Sequence, residues 1–225
     1  MKRSEINRIL LEADEFIKSM GFALPPFAHF SAEKWAGLGR EWDEVRDNML
    51  GWDVTDYGLG RFESVGLTLF TIRNGSLTDP RYPKRYAEKL LISRPGQVCP
   101  NHFHFNKSED IINRGGGVLA MRLWPSGPDG SLGEGEAELS SDGCRLRVKA
   151  GDTLYLRPGQ SVTLTPWLYH EFWAEESVCL IGEVSSVNDD NTDNRFYEPM
   201  GRFPTVEEDE PPFRLLCTEY PEAKE

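Results

Sequence analysis

The chain has 225 residues, enough for one large domain whose core needs no disulfide or metal staple to fold. Its 25 basic residues against 37 acidic ones leave a net charge of −12. That balance argues against a nucleic-acid partner or an anionic membrane surface, both of which reward basic patches, and it leaves a small neutral ligand open.

The opening "MKRSEINRIL" carries charges where a signal peptide would need an apolar stretch. It begins a helix instead. Ile6, Ile9, Leu10, Ala13, Phe16, Ile17 and Met20 recur at three- and four-residue spacing, with Ser4 as the expected N-cap and Gly21 as the C-terminal glycine. Ser31 is placed to cap a short helix through "AEKWAGL". Trp42, Val45 and Met49 suggest a third helix ending near Gly51.

From about residue 62 the period changes. "GLTLFTIRNG" has strand composition and ends in Asn-Gly, a hairpin signal. The strand candidates "RYAEKLLIS", "CPNHFHF", "EDIIN", "VLAMRLW", "CRLRVKA", "DTLYLR", "SVTLT", "YHEFWAE" and "VCLIGEVSS" follow, many of them separated by glycine, proline or Asn/Asp groups. "NRGGG" lacks a following helix signature and is expected to form a tight turn rather than a phosphate cradle. This rhythm predicts a mainly β fold, an antiparallel sandwich or barrel. The predicted division is a helical arm over 1–60 packed on a barrel over 61–185, with a tail over 186–225 completing the same domain. No apolar run approaches ~18 residues, so no membrane span is expected. Cys99, Cys144, Cys179 and Cys217 form no CxxC pair and are expected to be reduced thiols of a cytoplasmic protein.

The chemistry concentrates in "NHFHFNKSED". On a strand, residues two apart share a face, which puts His102 beside His104 and turns Phe103 away. Glu109 follows a short turn and can fold back beside the pair. Two imidazoles and a carboxylate suit a first-row divalent ion: Mn, Fe, Co, Ni or Zn. A bare HxH is also compatible with structural or solvent-facing histidines, so its surroundings must decide. Those surroundings resemble the first motif of the cupin superfamily, G(X)5HXH(X)3–4E(X)6G, matched in full by Gly96, His102, His104, Glu109 and Gly116. The second cupin motif, G(X)5PXG(X)2H(X)3N, is matched in part. Gly159 and His170 hold their spacing, proline comes one position late at Pro166, Trp167 stands where a glycine belongs, and Ala174 replaces the asparagine. The resemblance implies a cupin-type jelly-roll barrel with His102, His104, Glu109 and His170 as metal ligands. His29 lies in the arm and is read as incidental.

A closer resemblance covers nearly the whole chain. "GWDVTDYG", "GLTLFTIRNG", "YAEKLL", "EDIINRGGG", "LYHEFWAE" and "GEVSSVNDDNTDN" are similar to the bacterial D-lyxose isomerases, which are cupin-type sugar isomerases. This implies conversion of D-lyxose to D-xylulose, often with D-mannose to D-fructose, in a homodimer that prefers Mn2+. An Fe(II) cupin dioxygenase, using the same three histidines and glutamate, and a non-catalytic sugar-binding cupin are the alternatives.

An aldose–ketose isomerisation by an enediol route needs a group that takes the C2 proton and returns it to C1. Lys107, inside the motif turn, and Glu183, inward on "CLIGEVSS", are the candidates; an exposed turn lysine and a structural ion pair are the plainer readings. Glu88 and Lys89 point to opposite sides of one strand, and Lys89 is the one expected to face the cavity. Phe172, Trp173 and Trp52 are expected to line it, and Asp189, Asp190 and Asp193 to bond sugar hydroxyls.

Overall fold

A computed structural model describes residues 1–225. The first helix, α1, spans Arg3–Ser19 and buries Ile6, Ile9, Leu10, Ala13 and Ile17, the stripe its periodicity predicts. Its cap differs from expectation. Lys2 holds the cap position, while Ser4 lies in the first turn and donates from its backbone N and its Oγ to Asp209, at 2.8 and 2.7 Å. A carboxylate from the distant tail therefore satisfies the helix start. At the other end Gly21 adopts φ +75°, and its N–H and that of Phe22 return to Lys18 and Ile17, closing the helix as expected. Ser31 caps α2, which is only the single turn Ala32–Trp35; α3 follows at Asp43–Asp47.

The sheet begins earlier than the change of period suggests. Strand β1, Gly51–Thr55, is buried at all five positions and so shows no alternation in sequence. Strands β2 (Leu67–Arg73), β3 (Tyr86–Ser93), β4 (Cys99–His104), β5 (Glu109–Pro125) and β6 (Glu136–Ser141) follow in the chain. After them come β7 (Cys144–Lys149), β8 (Thr153–Leu156), β9 (Ser161–Leu164), β10 (Leu168–Ser186) and β11 (Asn194–Phe196). The pairings between these strands are antiparallel, in the order β1-β2-β3-β10-β5-β9-β6-β7, with β4 on β10, β11 on β4 and β8 on β5.

Asn74-Gly75 does not make a two-residue hairpin. Residues 74–85 form a long connection from β2 to β3, and the Asn74 side chain bonds the backbone of Asn188. Nor is "NRGGG" a turn. "EDIIN" and "VLAMRLW" are one strand, β5, and "YHEFWAE" and "VCLIGEVSS" are another, β10. The glycines bend them together: Gly116 has φ +88°, and a Cβ on Gly117 would collide with the carbonyls of Glu175 and Ser177. Across this bend the register shifts between Glu175 and Cys179, so each long strand serves two parts of the sheet. The first half of β10 pairs with β4 and its second half with β3. The sheet folds over on itself in this way, giving the cupin-type barrel.

Two cores result. Alternation sends Phe70, Leu90 and Leu180 outward beneath α1, Trp35 and Trp52, and sends Leu69, Leu91 and Ile181 inward with Ile111, Met121 and Phe172. No helix is long and apolar enough to cross a membrane.

Candidate active site

The inner face of β4 carries His102 and His104, both buried, while Phe103 turns outward onto Trp167, Phe105 and Tyr169. Residue 167 explains the departure from the second cupin motif. It holds a left-handed φ of +63°, where glycine is the easy residue, and its indole stacks on Phe103 at 4.9 Å between centroids. The Trp167 N–H also donates to the His104 carbonyl at 2.9 Å, so this strained position ties the strand of the histidine pair to the start of β10.

Two residues further on, His170 lies directly across from His102 in the ladder. One nitrogen from each of His102, His104 and His170 falls within 4.8 Å of the others, so this buried cluster could hold a metal ion. The surroundings fit that use. His102 Nδ1 lies 2.7 Å from the Pro100 carbonyl and His170 Nδ1 lies 3.0 Å from that of Leu168, contacts that place the proton on Nδ1 and leave the Nε2 lone pair free. Burial, followed by the neighbouring His170, pushes the His102 pKa well below its ordinary value. Burial and the Lys107 ammonium lower that of His104. Both rings are neutral at neutral pH, as metal binding requires.

Glu109 opens β5 on the same face. Its Oε1 lies 3.3 Å from His170 Nε2 and 3.5 Å from His104 Nε2, and its Oε2 lies 2.7 Å from Lys107 Nζ. Burial opposes the Glu109 charge, but the adjacent Lys107 ammonium outweighs it and holds the carboxyl well below its usual range. Burial likewise opposes the Lys107 ammonium, and Glu109 and Glu183 outweigh it and raise its pKa. Lys107 is thus no exposed turn lysine: it is 3% exposed and clamped between two carboxylates, with Glu183 at 2.9 Å.

The turn that carries Lys107 is held by Asp193. One carboxylate oxygen accepts from the backbone and side chain of Asn106, at 2.9 and 2.8 Å, and the other from the Lys107 N–H at 3.0 Å. Asp193 therefore shapes the turn and does not face the cavity. Lys89, across the ladder from Glu183, is the inward residue of its strand; Glu88 points away to Arg73. The Lys89 Nζ lies 3.7 Å from both Glu183 and Asp190.

Together these groups line a cavity of about 470 Å3, counting its mouth. The His cluster, Glu109, Lys107, Glu183, Lys89 and Asp190 form its polar side; Leu69, Leu91, Ile111, Phe172 and Phe196 form its apolar side. Besides Asp193, three expected groups are elsewhere. Trp52 lies in the outer core, donating from Nε1 to the Ala28 carbonyl at 2.9 Å, because β1 turns this residue towards the arm. Trp173 follows the inward Phe172 on a regular strand, so it faces out beneath the Arg122 guanidinium. Asp189 is spent on its own loop, accepting from Asn191 and Thr192. His29, incidental as expected, stands in the arm 3.9 Å from Asp14.

Residues that sequence reasoning missed complete the wall: Tyr57, Cys99, Asn194 and Arg202. Arg202 comes from the tail and approaches Asp53 at 2.8 Å and Asp190 at 3.4 Å, with the Asp53 contact too poorly aligned for a hydrogen bond. Burial opposes its charge, and the two aspartates raise its pKa well above the ordinary value. Only the folded tail brings it here, and no local pattern marks it.

Comparison with known proteins agrees with this geometry. The D-lyxose isomerase family model matches residues 1–220. The chain is 51% identical to a D-lyxose/D-mannose isomerase of Serratia proteamaculans and 49% identical to one of Escherichia coli O157:H7, covering 98% of each chain in both cases. Among solved structures, it resembles L-ribose isomerases of Acinetobacter sp. DL28, in complex with L-ribose, and Cellulomonas parahominis, with L-psicose. The TM-scores are 0.63 and 0.60 at 16% and 18% identity, over 92% of this chain and 98% of each of theirs, a likeness of fold.

Proposed function

Because this chain belongs to the D-lyxose isomerase family, we propose that it interconverts D-lyxose with D-xylulose, and D-mannose with D-fructose, using a divalent metal, Mn2+ by preference. That it is a sugar isomerase follows from the family itself. The observation that carries the finer reading is a buried carboxylate, Glu183, joined through Lys107 to the carboxylate beside the three histidines.

His102, His104, His170 and Glu109 would hold the metal. When bound, it supplies Lewis acidity to the two sugar oxygens that exchange carbonyl and hydroxyl character. The chain's own residues do the rest. Glu183 takes the proton from C2 and returns it to C1, one group serving both steps on one face of the sugar, while the hydroxyl proton of O2 passes to O1. The Lys107 ammonium, kept charged by its two carboxylates, donates a hydrogen bond to the substrate oxygen that gains negative charge. Lys89 and Asp190 offer a donor and an acceptor to hydroxyls further along the chain, and the Phe172 side supplies an apolar surface for the sugar's C–H face. The dioxygenase and binding-protein alternatives give way to family membership. The homodimer implied by the resemblance belongs to this proposal and is tested by sedimentation.

The deciding experiment is turnover of D-lyxose by chelator-treated protein with and without Mn2+. D-Xylulose formed only after metal is restored supports the proposal. No turnover of lyxose or mannose by metal-replete protein refutes it.

A further inference from the structure

The Asn-Gly pair that the sequence marks as a hairpin, and that the fold does not use as one, has a different task. Asn74 is buried, and its side chain grips one residue of the tail from both sides. Its Nδ2 donates to the Asn188 carbonyl at 2.9 Å, and its Oδ1 accepts from the Asn188 N–H at 3.0 Å. The same oxygen accepts from Gly75 N–H at 3.0 Å, which fixes the Asn74 rotamer. Gly75 must be small, since a Cβ there would collide with the backbone of Lys84.

Asn188, fixed in this way, turns its own side chain towards the active site. Its Oδ1 accepts from Lys89 Nζ at 2.7 Å and from Lys107 Nζ at 3.3 Å. Ammonium groups only donate, so both contacts require the oxygen and the amide orientation is settled by chemistry. Two buried cations of like charge are thus joined by one neutral acceptor, and both also approach the Glu183 carboxylate. Each lysine already faces two carboxylates, Glu109 and Glu183 at Lys107 and Glu183 and Asp190 at Lys89. Asn188 Oδ1 is the acceptor they share by hydrogen bond, and its clasp by Asn74 fixes one ammonium relative to the other.

We propose that Asn188 is a positioning residue for this reaction. Clasped by Asn74, it fixes the Lys107 and Lys89 ammoniums around Glu183. The inference rests on the reading of Glu183 as the proton-transfer group and Lys107 as the donor to the substrate oxygen. It predicts that the acceptor oxygen, and not the bulk of residue 188, sets the rate.

The test uses full-length, Mn2+-replete protein and D-lyxose turnover. Asn188→Leu keeps the size and removes the acceptor; kcat is expected to fall on the order of tenfold to a hundredfold, the loss expected for a hydrogen bond to a charged group, with KM changed by less. Asn188→Asp keeps an acceptor oxygen and is expected to stay within about fivefold of the wild-type kcat, which also guards against a Leu variant that misfolds. Asn74→Ala is expected to lower kcat in the same sense, and the Asn74→Ala/Asn188→Leu double variant to be no slower than Asn188→Leu alone, because Asn74 acts through Asn188. Bound metal, measured by elemental analysis, is expected to be unchanged throughout. Wild-type kcat in Asn188→Leu, an equal loss in Asn188→Asp, or additive losses in the double variant would each overturn the proposal. Absence of turnover in the wild-type protein would instead remove the functional reading beneath it.

Discussion

Replacing Lys107 by Met removes one ammonium and leaves a side chain of similar length, so the perturbation is close to pure charge deletion. In the native protein that ammonium lies 2.7 Å from Glu109 and 2.9 Å from Glu183, with all three side chains buried. Removing one partner of a buried pair leaves the other uncompensated, at a cost of about 3–5 kcal/mol. Lys89, 3.7 Å from Glu183, softens the loss at that end; no second lysine or arginine pairs with Glu109. The metal-free variant should therefore be destabilised most, and added Mn2+ should recover much of the difference by returning a cation to Glu109. Denaturant titration of wild type and variant, each with and without Mn2+, measures this directly. For catalysis the variant should lose the proposed hydrogen bond to the charged substrate oxygen, with an expected fall in kcat of roughly a hundredfold to a thousandfold. A metal-loaded variant that binds Mn2+ normally and keeps kcat within tenfold of wild type would refute the role given to Lys107.

Three further outcomes are expected. The imidazoles of His102 and His104 lie below their ordinary pKa of 6.5 in the fold, so as pH drops through 6.5 the unfolded chain takes up protons that the folded one does not. The melting temperature of chelated protein should be flat above that value and fall below it; a constant value down to about pH 5.5 would contradict the neutral imidazoles. Trp52→Phe should cost about 1 kcal/mol through the lost bond to Ala28 and leave KM for D-lyxose unchanged, since the indole is in the outer core; a raised KM would return it to the cavity wall. Asp193→Asn sets an amide donor against an N–H of the motif turn, and a stability loss of about 1–3 kcal/mol with roughly tenfold to hundredfold weaker Mn2+ binding is expected by calorimetry.

What the sequence revealed depended on whether a signal was local. The HxH pair, the opposite faces of Glu88 and Lys89, and Glu183 inward with Ile181 all follow from the two-residue period of a strand; that Lys89 is the inward one is fixed by its place across the ladder from Glu183. The same rule, applied strictly, already separates Phe172 from Trp173, since neighbours on a regular strand cannot both face the cavity. Strand β1 was hidden because full burial erases alternation. The glycines 115–117 misled because a glycine cluster signals a turn and a bend alike, and only the carbonyls of Glu175 and Ser177 opposite decide which is formed. Asn188 and Arg202 had no local signal at all. Their place is set by the return of the tail across the barrel mouth, a tertiary event that neither periodicity nor motif spacing encodes.

The buried charges form one alternating chain: Glu109, Lys107, Glu183, Lys89, Asp190, Arg202, Asp53. Each internal member has an opposite charge on both sides, which offsets the desolvation that would make any of them untenable alone. The count bears on the metal. The seven groups of the chain, four carboxylates and three cations, sum to one negative charge; a divalent ion would change that to one positive charge. The network is therefore about as well balanced without the metal as with it, and charge alone does not make the fold depend on binding. A metal at the proposed site would be held by the three histidine nitrogens and Glu109, which the barrel strands place without an ion. Chelation should thus abolish turnover while leaving a cooperative thermal transition. Added Mn2+ should raise the transition temperature with its concentration, as mass action requires. A chelated protein that loses its barrel, followed by far-ultraviolet circular dichroism, would mean that the ion is part of the fold's charge balance and not only of its chemistry.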